Sequence, residues 1–204
     1  MATLVKICGI TTPEDARMVV AAGADMIGLN FYHRSKRFVD LAAAVEISEQ
    51  IPDDVWRVGV FVNSDRMEVE EARLAARLHA IQFHGDEPAE MFLGWPCPVI
   101  RAIRVYDEAN VAVALDSEKS DYYLCEGGAN GEFGGAGVGF DWNLTRPVPR
   151  GQLIVAGGLN PGNVAQAVRA TRPFAVDVAS GVESSPGCKD QKATLEFVQN
   201  AKSA

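Results

Sequence analysis

The sequence predicts an α/β fold: a single (β/α)8 barrel, or TIM barrel, over residues 1–204, with a phosphate site after strands seven and eight. Short apolar runs rich in Val and Ile alternate with segments of helical period along the chain. Eight such units, at about 25 residues each, fit the lower end of the size range of this barrel. No linker, low-complexity tract or block of charge divides the chain, so one domain is expected. An open, doubly wound sheet is the alternative, but it usually has fewer strands, and no GxGxxG fingerprint follows the first strand.

Each predicted strand is a short apolar run flanked mostly by turn residues, which is the pattern of buried parallel strands. The runs are residues 4–10, 25–31, 55–62, 80–85, 98–105, 121–126, 152–158 and 174–181. Thr12 and Pro13 open the first predicted helix as its N-cap and first helical residue. Asn160 and Pro161 open another helix in the same way, and residues 65–77 predict a helix with a charged outer face.

The charge balance limits the kinds of partner. Asp plus Glu is 27 and Lys plus Arg is 19, which gives a net charge of −8. Non-specific nucleic-acid binding needs many cations to neutralise phosphates, so it is not expected, whereas a few local donors can still hold one phosphate. No run approaches the ~18 consecutive apolar residues of a membrane span, and the first residues lack the pattern of a signal peptide.

The four cysteines, Cys8, Cys97, Cys125 and Cys188, lie far apart and form no CxxC pair. This spacing predicts neither a zinc ribbon nor a disulfide framework. No spacing of Glu, Asp or His demands a metal either. Free thiols are typical of a reducing compartment, so a cytoplasmic protein is expected.

Chemistry in such a barrel lies at the carboxyl ends of the strands. At the end of the first strand, Lys6 and Cys8 share one face, with Ile7 on the other. A neighbouring cation favours a thiolate, and a thiolate can act as a base or a nucleophile. The alternative for Cys8 is a buried residue that serves only packing.

Strands two, four and six also end in polar residues. Three cations lie within residues 34–37, which indicates either anion contact or a solvated loop. Gln82 and His84 share one face of strand four, although a lone histidine is more often structural than catalytic. At the end of strand six, Glu126 could be a general acid if burial raised its pKa, or simply a surface glutamate. Residues 127–139 contain seven glycines and predict either a mobile lid on the catalytic face or a disordered surface loop.

Small residues follow strands seven and eight. In many such barrels, backbone N–H groups in these two loops, beside a helix N-terminus, bind a phosphate. Each glycine alone would be an ordinary turn, but both loops together predict a phosphorylated substrate. The residues concerned are Gly157, Gly158, Ser180 and Gly181.

Five segments, in order and spanning nearly the whole chain, resemble the motifs of the phosphoribosylanthranilate isomerase family of tryptophan biosynthesis. They are KICGI (6–10), IQFHGDE (81–87), FGGAGVGFDW (133–142), GGLNPGNV (157–164) and PFAVDVASGVE (173–183). The resemblance implies a (β/α)8 barrel, no cofactor and a small phosphoribosyl substrate. It implies an Amadori rearrangement, in which a general acid protonates the furanose ring oxygen and a general base removes the C2′ proton. Each positioned proton transfer is typically worth about 10²–10⁴-fold in rate.

The resemblance also assigns roles to residues. It makes Cys8 the general base, places Arg37 against the anthranilate carboxylate and puts Asp177 near the ribose hydroxyls. It implies that the phosphate cradle consists of Gly157, Gly158, Ser180 and Gly181. Further active-site positions, without a defined role, are Lys6, Gln82 and His84.

The sequence departs from the family at the general acid, which is an aspartate at the end of strand six. Aligning the family motif on Phe133 and counting back puts Glu126 at this position, whereas aligning it on Leu124 puts Cys125 there. Glu126 is preferred, because a carboxylic acid can donate the proton and the alignment on Phe133 needs no insertion. Glutamate is longer by one methylene, and a misplacement of about 1 Å can cost ~10²-fold in rate. Smaller departures are Ala136, where Ser or Thr is usual, and His33, where proline is common.

Two other functions remain as alternatives. A related barrel isomerase could act on a different phosphoribosyl substrate, but the two-fold internal similarity that would favour it is absent. Arg37 also favours a planar carboxylate such as that of anthranilate. The other alternative is a barrel that binds a phosphosugar and has lost its general acid. Monomer and homodimer are both compatible with the sequence.

Overall fold

The computed structural model describes residues 3–117, 119–128 and 139–204 of the chain. Eight parallel strands close into a barrel in which each strand pairs with the next and the eighth pairs with the first. The strands are β1 (Leu4–Cys8), β2 (Met26–Asn30), β3 (Trp56–Phe61), β4 (Ala80–Phe83), β5 (Val99–Val105), β6 (Tyr122–Gly127), β7 (Leu153–Val155) and β8 (Ala175–Val178). The closed barrel confirms the predicted fold class and excludes the open sheet.

Six α-helices lie in the described part of the chain, which is fewer than one per strand. They are α1 (Pro13–Ala21), α2 (Leu41–Ser48), α3 (Arg66–Ala75), α4 (Glu108–Ser117), α5 (Val164–Thr171) and α6 (Gln191–Lys202). After β4 the chain forms only a short 3-10 helix, Ala89–Phe92, in a connection that contains three prolines. Another 3-10 helix, Trp142–Thr145, follows β6. None of the described helices has the length and apolar character needed to cross a membrane.

Two helix starts match the sequence prediction. The Thr12 hydroxyl accepts a hydrogen bond from the backbone N–H of Asp15, and Pro13 is the first helical residue of α1. Asp65 caps α3 and, together with Glu68, forms a capping box in which each side chain accepts from the other residue's backbone. These bonds satisfy N–H groups that have no partner inside a helix.

The predicted start of α5 is wrong by three residues. The helix begins at Val164 and not at Pro161. Asn160 Oδ1 accepts from the N–H of Gly162 at 2.8 Å, while the Asn160 N–H donates to Asn163 Oδ1 at 2.8 Å. These local side-chain bonds hold a turn over residues 161–163, because asparagine side chains compete with helical bonds for the backbone.

Alternation along the strands divides the buried residues into two layers. One layer packs outside the strands, against the helices, and includes Ile7, Phe83 and Cys125. The other fills the barrel interior with Met26, Val58, Ala80, Ile100, Leu124, Ile154, Ala156 and Ala175. On several strands, the residue two positions after a member of this inner layer is polar. Its side chain therefore also points into the barrel, above the layer and at the carboxyl end.

A short hairpin follows β8. Its strands are β9 (Glu183–Ser185) and β10 (Cys188–Lys189), which pair antiparallel outside the barrel. The hairpin lies against the first strand–helix unit, because Lys189 N–H donates to Asp15 and Thr11 donates to the Gly187 carbonyl.

Candidate active site

A pocket opens at the carboxyl end of the barrel, and its walls come from both halves of the sheet. All but one of the residues predicted from the sequence line it: Cys8, Arg37, Gln82, His84, Glu126, Gly157, Gly158, Asp177, Ser180 and Gly181. The remaining residue, Lys6, lies in the barrel beneath the pocket and is fully buried. Strand geometry thus brings together residues that are spread over most of the chain.

Lys6 and Asp177 form a buried ion pair across the junction of β1 and β8. The two residues are register partners, and Lys6 Nζ lies 2.9 Å from Asp177 Oδ1. Burial acts to lower the pKa of Lys6, but Asp177 and Cys8 outweigh it and raise the pKa above the ordinary value. Lys6 is therefore a fixed positive charge below the pocket.

Cys8 points into the pocket from the end of β1. It pairs with Gly28 of β2, where a Cβ atom would lie 2.6 Å from the Cys8 sulfur. The glycine therefore leaves the room that the thiol occupies. Burial raises the pKa of the Cys8 thiol above its ordinary value, although Lys6 acts in the opposite direction. As predicted from the sequence, Lys6 lowers the pKa of the Cys8 thiol, but burial raises that pKa by more.

Gln82, His84 and Glu126 form a hydrogen-bonded chain across the barrel from β4 to β6. Gln82 Nε2 lies 2.9 Å from His84 Nδ1, and His84 Nε2 lies 2.7 Å from Glu126 Oε1. A carboxylate oxygen can only accept, so His84 Nε2 donates to Glu126. Gln82 and Glu126 thus hold the ring of His84 from both sides.

The pKa of Glu126 follows from these neighbours. Burial acts to raise it, but His84, through charge and hydrogen bond, together with the charges of Arg104 and Lys6, holds it below the ordinary value. The sequence-based expectation for an acid was a raised pKa, and the structure shows the opposite direction. The cause is that His84, which is far away in sequence, lies in contact with the carboxylate.

Cys125 and Glu126 face opposite sides of β6. Cys125 is fully buried in the layer between barrel and helices, and burial raises the pKa of its thiol to about 12. Glu126 shares the inward face with Leu124 and lines the pocket. Of the two candidates for the acid position, only Glu126 reaches the pocket.

The loops after β7 and β8 approach each other closely. Gly157 and Gly158 both have positive φ, 75° and 66°, a conformation that favours glycine. At Gly181, a Cβ atom would collide with the Leu159 carbonyl oxygen. Ser180 begins a one-turn 3-10 helix, whose first N–H groups have no partner within the helix. The two loops thus present backbone to the pocket, as a phosphate site requires.

Arg37 is the only one of the three cations in residues 34–37 that lines the pocket, since Arg34 and Lys36 are exposed. Its Nε and Nη2 donate to the two carboxylate oxygens of Glu183 at 2.8 and 2.7 Å. Glu183 also accepts from Lys189 Nζ at 2.7 Å. Neither Glu183 nor Lys189 was predicted from the sequence as a site residue, although Glu183 lies in the motif 173–183.

The loop after β2 contributes further pocket residues that the sequence analysis missed. Ser35 Oγ accepts from Asn30 Nδ2 and from the N–H of Arg37, both at 3.1 Å. Asn30 Oδ1 in turn accepts from the N–H of Tyr32. These bonds fix the path of the loop that carries Arg37, and serine and asparagine are common in such turns.

Part of the sequence-based account falls outside the described residues. The predicted lid covers residues 127–139, of which 129–138 are not described, and the same holds for Phe133 and Ala136. Within the described ranges, no group of three or more His, Cys, Asp or Glu side chains could hold a metal ion.

These features define the class of the protein as a barrel enzyme. The barrel is closed, and buried titratable groups and close-packed glycine loops lie together at its carboxyl end. A family model for N-(5′-phosphoribosyl)anthranilate isomerase matches residues 5–200. The chain belongs to this family and is an isomerase.

Relatives named N-(5′-phosphoribosyl)anthranilate isomerase match over the full length. The chain is 46% identical to one from Myxococcus xanthus, covering 100% of this chain and 98% of the relative. It is also 46% identical to one from Thermotoga neapolitana, covering 97% and 98%.

Solved structures agree with these sequence matches. Phosphoribosyl anthranilate isomerase from Thermotoga maritima superposes with a TM-score of 0.90 at 40% identity, covering 99% of this chain and 100% of that one. A structure of phosphoribosyl anthranilate isomerase in complex with reduced 1-(o-carboxyphenylamino)-1-deoxyribulose 5-phosphate gives a TM-score of 0.86, also at 40% identity and the same coverage.

Proposed function

We propose that this chain converts N-(5-phosphoribosyl)anthranilate into 1-(2-carboxyphenylamino)-1-deoxyribulose 5-phosphate by acid–base catalysis. Family membership supports the reaction. One observation carries the mechanism: a thiol from β1 and a carboxyl group from β6 line the same pocket as the glycine loops and Arg37. The chemistry requires two proton transfers, and each of the two groups serves one of them.

In this mechanism Glu126 is the general acid that protonates the furanose ring oxygen. Its Oε1 accepts from His84, which leaves Oε2 to carry the proton to the substrate. Protonation opens the ring to a Schiff base, in which the C2′ proton is acidic. Gln82 and His84, which also line the pocket, act as positioning residues for Glu126, because their hydrogen-bonded chain ends on its carboxyl group.

Cys8 is the general base that removes the C2′ proton, and the enolamine so formed tautomerises to the ketone. Lys6 stabilises the thiolate by charge, and its pairing with Asp177 holds the Lys6 ammonium in place. Because the pKa of Glu126 is lowered and that of Cys8 is raised, the form with an acid and a thiolate is a minor one in the unliganded site.

The remaining groups bind substrate. Arg37 meets the planar carboxylate of the anthranilate ring, for which a guanidinium fork is well suited. Asp177 lies at the ribose hydroxyls. The phosphate occupies the loops of Gly157, Gly158, Ser180 and Gly181, where positive φ and close packing support a backbone cradle.

We further propose a single cytoplasmic domain that needs no cofactor or metal and binds neither nucleic acid nor membrane. The four cysteines are free, which fits a reducing compartment. Both a monomer and a homodimer fit the proposal. One solved structure is of monomers generated from the dimeric phosphoribosylanthranilate isomerase of Thermotoga maritima.

The test is the decay of anthranilate fluorescence after purified protein is added to freshly made phosphoribosylanthranilate. The expected result is enzyme-dependent loss of signal beyond spontaneous hydrolysis, and the loss should vanish in Cys8→Ala. Cys97→Ala is the matched control, because Cys97 is half-buried outside the pocket. Tight binding of the reduced product analogue without any turnover by the wild type would instead identify a barrel that binds and does not react.

A further inference from the structure

A three-membered ionic cluster lies beside the pocket, and only one member has a role in the mechanism. Glu183 sits between Arg37 and Lys189, at 2.7 Å from each. The side chains of Glu183 and Lys189 are 4% and 0% exposed, and that of Arg37 is 13% exposed. Arg37 is thus the member of the cluster that reaches the pocket, and the other two lie behind it.

Lys189 connects the cluster to two other parts of the site. Its Nζ donates to the carbonyl of Cys8 at 2.6 Å and to that of Ala179 at 3.4 Å. The same ammonium therefore contacts the strand that carries the thiol, the loop that contains the cradle and the partner of Arg37. Burial acts to lower the pKa of Lys189, and Glu183 opposes that shift.

Stability alone does not explain such a cluster. Replacing a buried ion pair by apolar residues of similar volume is often neutral or stabilising, because the charges lose their hydration. What these contacts do impose is an orientation, because Glu183 and Lys189 hold the guanidinium of Arg37 at the edge of the pocket. The cluster fixes a guanidinium, which is the group that recognises planar carboxylates.

Among the described residues, only one edge of the Arg37 guanidinium has a hydrogen-bond partner. Glu183 occupies the edge formed by Nε and Nη2, which uses two of the five N–H groups. The edge formed by Nη1 and the second Nη2 hydrogen can still bind a carboxylate in a bidentate manner. Gly9 permits this placement, because a Cβ atom there would collide with Arg37 Cδ.

We propose that Glu183, held by Lys189, is a positioning residue that aims the remaining edge of Arg37 at the carboxylate of the substrate's aromatic ring. This pair thereby sets the specificity for a ring that bears a carboxylate. The inference rests on the proposed function, since it assigns Arg37 to that carboxylate.

The test compares Glu183→Gln with Glu70→Gln. Glu70 makes the same two-bond pair with Arg73, through Nε and Nη2 at 2.7 Å each, but lies away from the pocket. For Glu183→Gln, the KM and the inhibition constant of free anthranilate should rise about 10-fold, with kcat within about 3-fold, as expected for lost uniform binding. The inhibition constant of inorganic phosphate should stay unchanged, and Glu70→Gln should behave as wild type.

Three outcomes would overturn the inference. Unchanged anthranilate binding would show that Arg37 needs no orientation. Tighter anthranilate binding would show that Glu183 only weakens the charge of Arg37. A parallel rise of the anthranilate and phosphate constants would show that the substitution merely loosens the pocket.

Glu183→Gln leaves Lys189 buried without a charged partner, which can prevent folding. The double variant Glu183→Gln/Lys189→Met removes both charges at similar volume and should show the same selective loss of anthranilate binding. Both inhibitor constants are measured by calorimetry as binding constants, without turnover. A wild type that binds both ligands but does not react would contradict the proposed function and leave this inference intact.

Discussion

The substitution Gly28→Ala tests the position of the proposed base without changing any titratable group. The added methyl would lie 2.6 Å from Cys8 Sγ and 3.0 Å from Cys8 Cα. Non-bonded heavy atoms pack at separations of about 3.5–4.0 Å, so the thiol must move by about 1 Å. A displacement of this size at a reacting group costs on the order of 10²-fold in rate. Overpacking a buried site also costs about 1–3 kcal/mol of stability.

Gly59→Ala is the matched control for this loss of stability. Gly59 lies on β3, and its added methyl would collide with Leu78 and lie 2.8 Å from Phe61 Cε2, both in the outer layer. The two variants should therefore lose comparable stability in urea unfolding, but only Gly28→Ala should lose kcat. The assay is anthranilate fluorescence under saturating substrate. If Gly28→Ala kept a kcat within about 3-fold of Gly59→Ala, the tight placement of Cys8 would not matter for the reaction.

Two further predictions concern the phosphate loops and the acid. Gly181→Ala forces the loop away from Leu159, so the inhibition constant of inorganic phosphate should rise at least about 10-fold; equal phosphate inhibition in both proteins would place the phosphate elsewhere. The pKa of Glu126 is lowered and that of Cys8 is raised, so the fraction of enzyme with a protonated Glu126 and a Cys8 thiolate is constant between the two pKa values, and kcat/KM should not change with pH around neutrality. His84→Gln removes the charge that lowers the pKa of Glu126, so the acidic limb should move to higher pH. An acidic limb at the same pH would rule out the coupling of the two residues.

The sequence was sufficient to predict the barrel from its eight strand–helix units, and to predict the pocket from the two-residue period of the strands. Once the strands are assigned, Lys6 and Cys8, like Gln82 and His84, must share the inward face at the carboxyl end. The same period separates Cys125 from Glu126, although the sequence alone left both as candidates for the acid. The structure packs Cys125 against the helices and places Glu126 at the pocket.

The sequence was not sufficient for contacts between distant residues. Arg37 and Glu183 are 146 positions apart, and no periodicity connects them. The pKa of Glu126 is another such case, since its direction depends on a histidine from a different strand. The start of α5 was wrong for a local reason, because two asparagine side chains held the backbone in a turn.

The central claim is that Glu126, and not Cys125, takes the place of the family's aspartate as general acid. The most direct measurement is kcat for Glu126→Gln and Cys125→Ser, determined side by side with the fluorescence assay. Glu126→Gln is expected to lower kcat by about 10²–10⁴-fold, whereas Cys125→Ser should keep its kcat and lose only stability. An unchanged kcat in Glu126→Gln, together with a large loss in Cys125→Ser, would contradict it.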